Sequence, residues 1–354
     1  MVIAIWTIAL LSLLVISFAL DALLESKINL YVRERRRVDY MTQSGVAIAE
    51  MLILDYKNAS SSSSSEEDED DMWLKYKLDL QRGATTVTDY PIEEDAPEKG
   101  TVSIEISSAE AKHWPINMLV SSDSADQIWE NILNVIGLPM EYQEEIVDSW
   151  YDWRDEDSTT TGRNGAENDY YEDLDPSYRA RNGEIHSVDE LKMIRGIRDR
   201  LAIFNGGPLD PEAKEEEDPV NIRYGLKAFF DLYGESVKIN INSASKEVLM
   251  TVPGIDGDEE IAQAIIEERT TGANMSTALT GDSYESPLFK DWNDLNSRLP
   301  VSLMTGSESY FSYAPEKYFK IRITGKSAGI THTIIAVAVV QNDEVRYVRW
   351  REDP

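Results

Sequence analysis

The sequence predicts an α+β protein: a long N-terminal helix packed on a small antiparallel sheet, with a large α-helical domain inserted into that sheet. Three observations predict it. Residues Met1–Leu20 carry no charge, and an apolar stripe continues down the same helix beyond them. Segments of period two stand at both ends of the body, and between them the pattern is helical.

Twenty apolar residues at about 1.5 Å each make a helix of ~30 Å, enough to cross a hydrocarbon core. Residues 1–21 are therefore read as a membrane span. Leu24, Ile28, Tyr31, Val38, Met41, Ile48 and Leu52 follow at spacings of three, four or seven, which puts them on one helix face across 22–57. That face needs a sheet or partner helices to cover it, and these residues are expected to form the partner interface. Lys57-Asn58-Ala59 ends the pattern, and the Ser60–Ser65 and Glu66–Asp71 runs read as a solvated loop.

Trp73–Leu80, Ala84–Tyr90 and Thr101–Ile106 read as strands of a first α/β part, 58–120. Helices are expected from Ser124 through Ile136, over Tyr142–Trp153, and after a capping box of Ser187 and Glu190. Glu212–Asp218 reads as an acidic loop and Val237–Ile241 as a short strand. Helices resume over Glu247–Met250, Glu259–Arg269 and Leu288–Leu299. These define an inserted domain, 121–315. Phe319, Ile321 and Ile323 alternate, then Ile330–Val340 and Val345–Trp350 complete a second β part, 316–354.

Lys plus Arg number 34 against 65 Asp plus Glu, a net charge of −31. Such a body repels nucleic acid and anionic lipid and attracts divalent cations. Cysteine is absent and His occurs three times, which removes disulfides, thiolate chemistry and a convincing zinc site. No Gly-rich phosphate loop, G-x-S-x-G or H-E-x-x-H is present, so an enzyme is not supported. Arg33, Arg35, Arg36 and Arg37 follow the span, and taken alone would place the body in the cytoplasm.

Two motifs carry chemistry. Asp148, Asp152, Asp155 and Asp157, followed by Gly165-Ala166-Glu167, gather carboxylates at a helix end and loop, as Ca²⁺ sites do. An EF-hand is excluded, because its turn glycine would fall at Thr160. A solvated acidic helix end over packed aromatics, or a glycosidase-type carboxylate pair, would use the same residues. The second motif spans 239–269, where Val252-Pro253-Gly254-Ile255 joins two helical segments as in a helix-hairpin-helix unit. Asp256, Asp258, Glu259 and Glu260 follow the hairpin and oppose phosphate binding, so a structural or protein-contacting role is expected.

Taken in order, D-W-R-D-E-D (Asp152–Asp157), N-G-A-E-x-x-Y-Y (Asn164–Tyr171), P-x-Y-x-x-x-N (Pro176–Asn182), E-L-x-x-I-x-G (Glu190–Gly196), I-N-I-N-x-A (Ile239–Ala244), V-P-G-I (Val252–Ile255) and the terminal β segment through Arg351 resemble the K-type minor pseudopilins of bacterial type II secretion systems. The resemblance implies a pilin-like fold interrupted by a helical domain. It implies a single-pass inner-membrane protein with its body in the periplasm, located at the pseudopilus tip and priming assembly. Its implied partners are the I- and J-type minor pseudopilins, the major pseudopilin and a prepilin peptidase, with no nucleic acid. It also implies calcium, and the positions matching the acidic motif are Asp152, Asp155, Asp157 and Glu167. Family precursors carry a short basic leader ending in Gly, and none stands before Met1, so either the chain is written from its mature start or its start is displaced; such a leader would reverse the charge-based orientation. With Met1 as the mature start, Ile5 stands where ordinary pilins have Glu, which resembles the K type. A second reading is a membrane-anchored, calcium-dependent module that contacts secreted cargo or an outer-membrane gate.

Overall fold

In a computed structural model describing residues 1–61, 73–81, 83–91, 100–109, 112–120, 122–210, 220–271, 288–300, 303 and 306–353, helix α1 runs unbroken over Val2–Ser61. Residues 1–33 are exposed along their whole length, and this is a helix long and apolar enough to cross a membrane. The remainder of α1 lies on a five-stranded antiparallel sheet. Its strands are β1 (Ala84–Pro91), β2 (Thr101–Ser108), β9 (Tyr318–Ser327), β10 (Ile330–Gln341) and β11 (Glu344–Asp353), in the spatial order β1-β2-β9-β10-β11.

Strand alternation sends Val102, Ile104 and Ile106, Phe319, Ile321 and Ile323, and Ile334, Ala336 and Ala338 toward α1, where they meet Val46, Ala49, Leu52, Ile53 and Tyr56. Full burial of each large side chain stabilises by roughly 1.5–3 kcal/mol. The approach is close because two glycines permit it. A Cβ at Gly45 of α1 would stand 2.6 Å from Ile323 Cγ2, and one at Gly325 would stand 2.5 Å from Thr42 Oγ1.

This packing corrects part of the expected partner interface. Val38 (0 % exposed), Met41 (5 %) and Leu52 (0 %) are buried, and Ile48 packs against the sheet core. The sheet of the same chain consumes that half of the stripe. Leu24, Ile28 and Tyr31 remain exposed, at 55–61 %.

Between β2 and β9 the chain builds a second core. It contains α3 (Asp123–Val135), α4 (Met140–Arg154), α5 (Asn168–Glu172), α6 (Leu201–Asn205), α7 (Lys246–Met250), α8 (Glu259–Thr271) and α9 (Trp292–Arg298). Two-residue strands tie its loops: β3 (Trp114–Pro115) with β6 (Phe230–Asp231), β4 (Gly207–Pro208) with β5 (Asn221–Ile222), and β7 (Ile239–Asn240) with β8 (Phe311–Ser312). Trp114 and Ile116 pack into this core, so the chain leaves the pilin-like sheet near Ala109. Trp129 sits at its centre, with ring centroids 4.9 Å from Phe230 and 5.7 Å from Trp150.

The two cores are riveted together. Buried Asp231 accepts a hydrogen bond from Lys320 Nζ on β9 at 2.6 Å and lies 2.6 Å from His113 Nδ1. Tyr56 of α1 accepts the Glu316 amide at 3.1 Å, the Glu316 carboxylate holds Ser243, and Tyr233 stacks on Tyr318 at 5.2 Å.

Local expectations fail where tertiary contacts decide. Trp73–Leu80, expected as a strand, forms helix α2 (Leu74–Gln81). Lys77 of α2 pairs with Asp55 of α1 at 3.0 Å, and Trp73 packs between Tyr76 and Tyr90; a strand would not bring these to one side. The expected strand Val237–Ile241 shrinks to the two residues of β7, and the helix expected from Leu288 starts at Trp292 under an Asp291 cap. The capping box forms as expected, but it starts a 3₁₀ helix (Val188–Met193) that ends before Ile194. Parts of the serine/acid run and all of Glu212–Asp218 lie outside the described residues.

Candidate metal centre

The C-terminus of α4 delivers the first two carboxylates. Helical spacing from Ile146 through Trp150 and Trp153 turns one face of α4 into the inserted core, and Asp152 is carried inside with it, fully buried. Asp155 follows as the C-cap residue, and its amide bonds the Tyr151 carbonyl at 2.9 Å. The chain then loops outward and returns with Glu167 as the N-cap position of α5, 5 % exposed. Below lie Trp153, Tyr171 and Tyr178, with Trp153 and Tyr171 edge-to-face at 5.0 Å.

One carboxylate oxygen each from Asp152, Asp155 and Glu167 lies within 4.8 Å of the others. Asp152 Oδ1 accepts the Thr161 amide at 2.7 Å. Asp152 Oδ2, Asp155 Oδ1 and both Glu167 oxygens are buried without a hydrogen-bond partner. Among the described residues, none of the three carries a salt bridge. Two charges at this separation repel by about 3 kcal/mol even at an effective dielectric of ~20. Burial, then the Asp152, Asp155 and Asp157 charges, push the Glu167 carboxyl up to about 7. Burial and the neighbouring Asp157 and Asp152 raise Asp155 as well.

Orphaned buried carboxylate oxygens are costly unless something positive stands among them. The residues fit a hard cation: the donors are all oxygen, and an irregular loop can add carbonyls, which suits Ca²⁺ better than strictly octahedral Mg²⁺. No His or Cys belongs to the group, which disfavours zinc. A glycosidase pair fails on access, since no sugar ring could stand between side chains buried to this degree.

The expected quartet is thus a trio. Asp157 is exposed and its Oδ1 accepts the Thr159 amide at 2.7 Å, so it shapes the loop and acts on the group through its charge. Two contributors, Thr161 and Arg195, escaped the sequence reading, and Gly165, named with the acidic motif, has a role the motif did not show. Thr161 supplies an amide, and Arg195 holds the loop through the Gly165 carbonyl at 3.1 Å while pairing with Glu145. Gly165 leaves room for the trio, because a Cβ there would collide with the Asp152 carboxylate and stand 2.6 Å from the Thr161 carbonyl. Gly165→Ala is expected to lower stability by about 1–3 kcal/mol, read as a reduced melting temperature, since the loop must move to admit one methyl.

The helix-hairpin-helix unit also closes on itself. Asp256 Oδ1 accepts the Gly254 amide at 3.0 Å and Asn131 Nδ2 at 2.9 Å, so a carboxylate of the chain occupies the hairpin amide that a phosphate would use.

The family model described as type II secretion system protein K matches residues 115–202, a stretch that contains the whole carboxylate group. Over that stretch, about a quarter of its length, the chain is similar to the type II secretion system protein K family. A helix-hairpin-helix model matches 234–278 of the chain. The type II secretion system protein K of Aeromonas hydrophila is 40 % identical over 57 residues, which is 16 % of this chain and 17 % of the relative. In solved structures, the GspK–GspI–GspJ complex of the enterotoxigenic Escherichia coli type 2 secretion system contains a chain of the same fold. It matches with a TM-score of 0.53 at 15 % identity, covering 90 % of this chain and 99 % of that one.

Proposed function

We propose that this chain is a minor pseudopilin, that it is the tip subunit of a type II secretion pseudopilus, and that it primes assembly with I- and J-type minor pseudopilins. The observation that carries this reading is the division of α1. One half is covered by the chain's own sheet, and the other leaves Leu24, Ile28 and Tyr31 exposed beside the membrane span. The solved relative, which shares the fold, was crystallised with GspI and GspJ. A helix whose lower part is bare and whose upper part bears a bulky inserted domain suits packing against sister helices below and nothing above. The span holds the protein in the inner membrane, the body faces the periplasm, and the major pseudopilin and a prepilin peptidase complete its partners.

Ile28→Asp is expected to abolish co-purification of the detergent-solubilised chain with its I- and J-type companions while leaving its melting temperature unchanged. Undiminished recovery of the complex would remove this reading.

The carboxylate trio supports a calcium ion as a structural clamp on the inserted domain. It ties the end of α4 to the start of α5 and rigidifies the head presented at the tip. Calorimetric titration of calcium into the wild-type chain and Asp155→Asn tests this, with heat expected from the first alone. Contact of a calcium-ordered loop with cargo or an outer-membrane gate is the second reading, favoured by the exposure of Asp157 and its neighbours 158–160. Nucleic acid is disfavoured by the −31 charge and by the self-capped hairpin.

A further inference from the structure

The sheet face turned away from α1 reverses the charge of the rest of the molecule. Register places Lys320 of β9, Val337 of β10 and Arg349 of β11 in one cross-strand row, and Arg322, Ile335 and Arg351 in the next. Two cations therefore stand on each side of an aliphatic stripe. Adjacent strands lie about 4.8 Å apart and alternate residues about 6.8 Å apart, so the cations mark the corners of a rectangle of roughly 10 by 7 Å. The floor is a groove of about 350 Å³ that also touches Glu105 and Ser107 of β2.

The cations are incompletely used. Arg349 has no ion pair among the described residues. Among the described residues Arg322 has a loose ion pair with Glu105 at 3.8 Å and acts through its charge on Asp353, and Arg351 spends one nitrogen on Asp353 at 2.5 Å. Lys320 is held by Asp231 yet half exposed. A guanidinium carries five donors, so three arginines leave most of theirs open. In a chain with 65 acids and 34 bases, three arginines and a lysine around one groove have no counterpart in its average composition.

We infer that this groove binds an extended acidic peptide segment of a partner protein, one in which carboxylates flank an aliphatic side chain. The aliphatic residue sits on Ile335 and Val337, and the flanking carboxylates reach Arg349 and Arg351 on one side and Arg322 and Lys320 on the other. The apolar floor separates this from a generic anion site, since a bare phosphate or sulfate gains nothing from it. The surrounding negative charge rejects segments that cannot reach the cations, which gives selectivity as well as attraction.

The test uses the full chain in non-ionic detergent and a fluorescein-labelled peptide, Glu-Ser-Leu-Ser-Glu-Ser-Leu-Ser-Glu, followed by anisotropy at low salt. Binding is expected, weakened at least tenfold when every Glu of the peptide becomes Gln or every Leu becomes Ser. Arg349→Gln and Arg322→Gln are each expected to weaken it at least fivefold without changing the melting temperature. Lys227→Gln, which removes an exposed positive charge elsewhere, is expected to leave it intact. No binding at low salt overturns the inference, and so does displacement by sulfate beyond that of chloride at equal ionic strength. Loss with Arg349→Gln but not Arg322→Gln would also overturn it, because the peptide would then be pairing along the free edge of β11 instead.

Discussion

Chelating divalent cations lowers the melting temperature of the purified chain by roughly 5–10 °C at pH 7.5, and millimolar calcium restores it. An ion present at a hundred times its dissociation constant stabilises by about 2.7 kcal/mol, and a body of this size gains about 2–4 °C per kcal/mol. The trio sets the sign of the pH dependence. Glu167 is raised from 4.5 to about 7 in the folded chain, so the fold holds this proton more tightly than the unfolded chain does. Its destabilising charge is absent below about 4.5 and fully present above 7. Metal-free protein therefore loses stability as pH rises across that window, and calcium cancels the loss. Asp155→Asn relieves the repulsion, so its metal-free form melts higher than wild type while the response to calcium disappears. A melting curve indifferent to chelation in wild type, or a calcium response preserved in the variant, would eliminate the cation from this site.

Val38→Asp is expected to cost at least about 4 kcal/mol and to unfold the pilin-like half at physiological temperature. Val38 is fully buried and its backbone carbonyl faces Gly325 of β9, so a carboxylate there would be taken out of water inside the helix–sheet contact. Limited proteolysis distinguishes this from Ile28→Asp. The first releases fragments of the sheet, whereas the second leaves the protected body intact and loses only its companions. If both variants stayed folded and both lost partners, the covered half of α1 would be an interface after all.

These two variants mark what could and could not be read from residue spacing. Heptad-like spacing identified the α1 stripe but not its occupant. Val38 and Ile28 have the same pattern and the same hydrophobicity, and only the position of β9 and β10 separates a core residue from an exposed one. The alternation of Phe319, Ile321 and Ile323 was legible because one sheet face is buried and the other is wet. Trp73–Leu80 was misread because its alternating charges imitate a strand, and its helical form rests on Asp55 and Tyr90, both distant in sequence. Asp152 and Asp155 were legible as a helix-end pair. Asp157 could not be separated from them, because whether a carboxylate turns inward depends on the loop that returns through Gly165 to Glu167.

The amino-acid order alone determined an uncharged span, a helix continuing from it, a strongly acidic body and a β–helical–β sequence of parts, since each depends on neighbours within a few residues. Tertiary structure decided which half of α1 is already covered, which three carboxylates converge with orphaned oxygens, and which cations share the outer sheet face. Those depend on strand register and loop closure between positions scores of residues apart, where burial and charge are set by what the fold brings into contact.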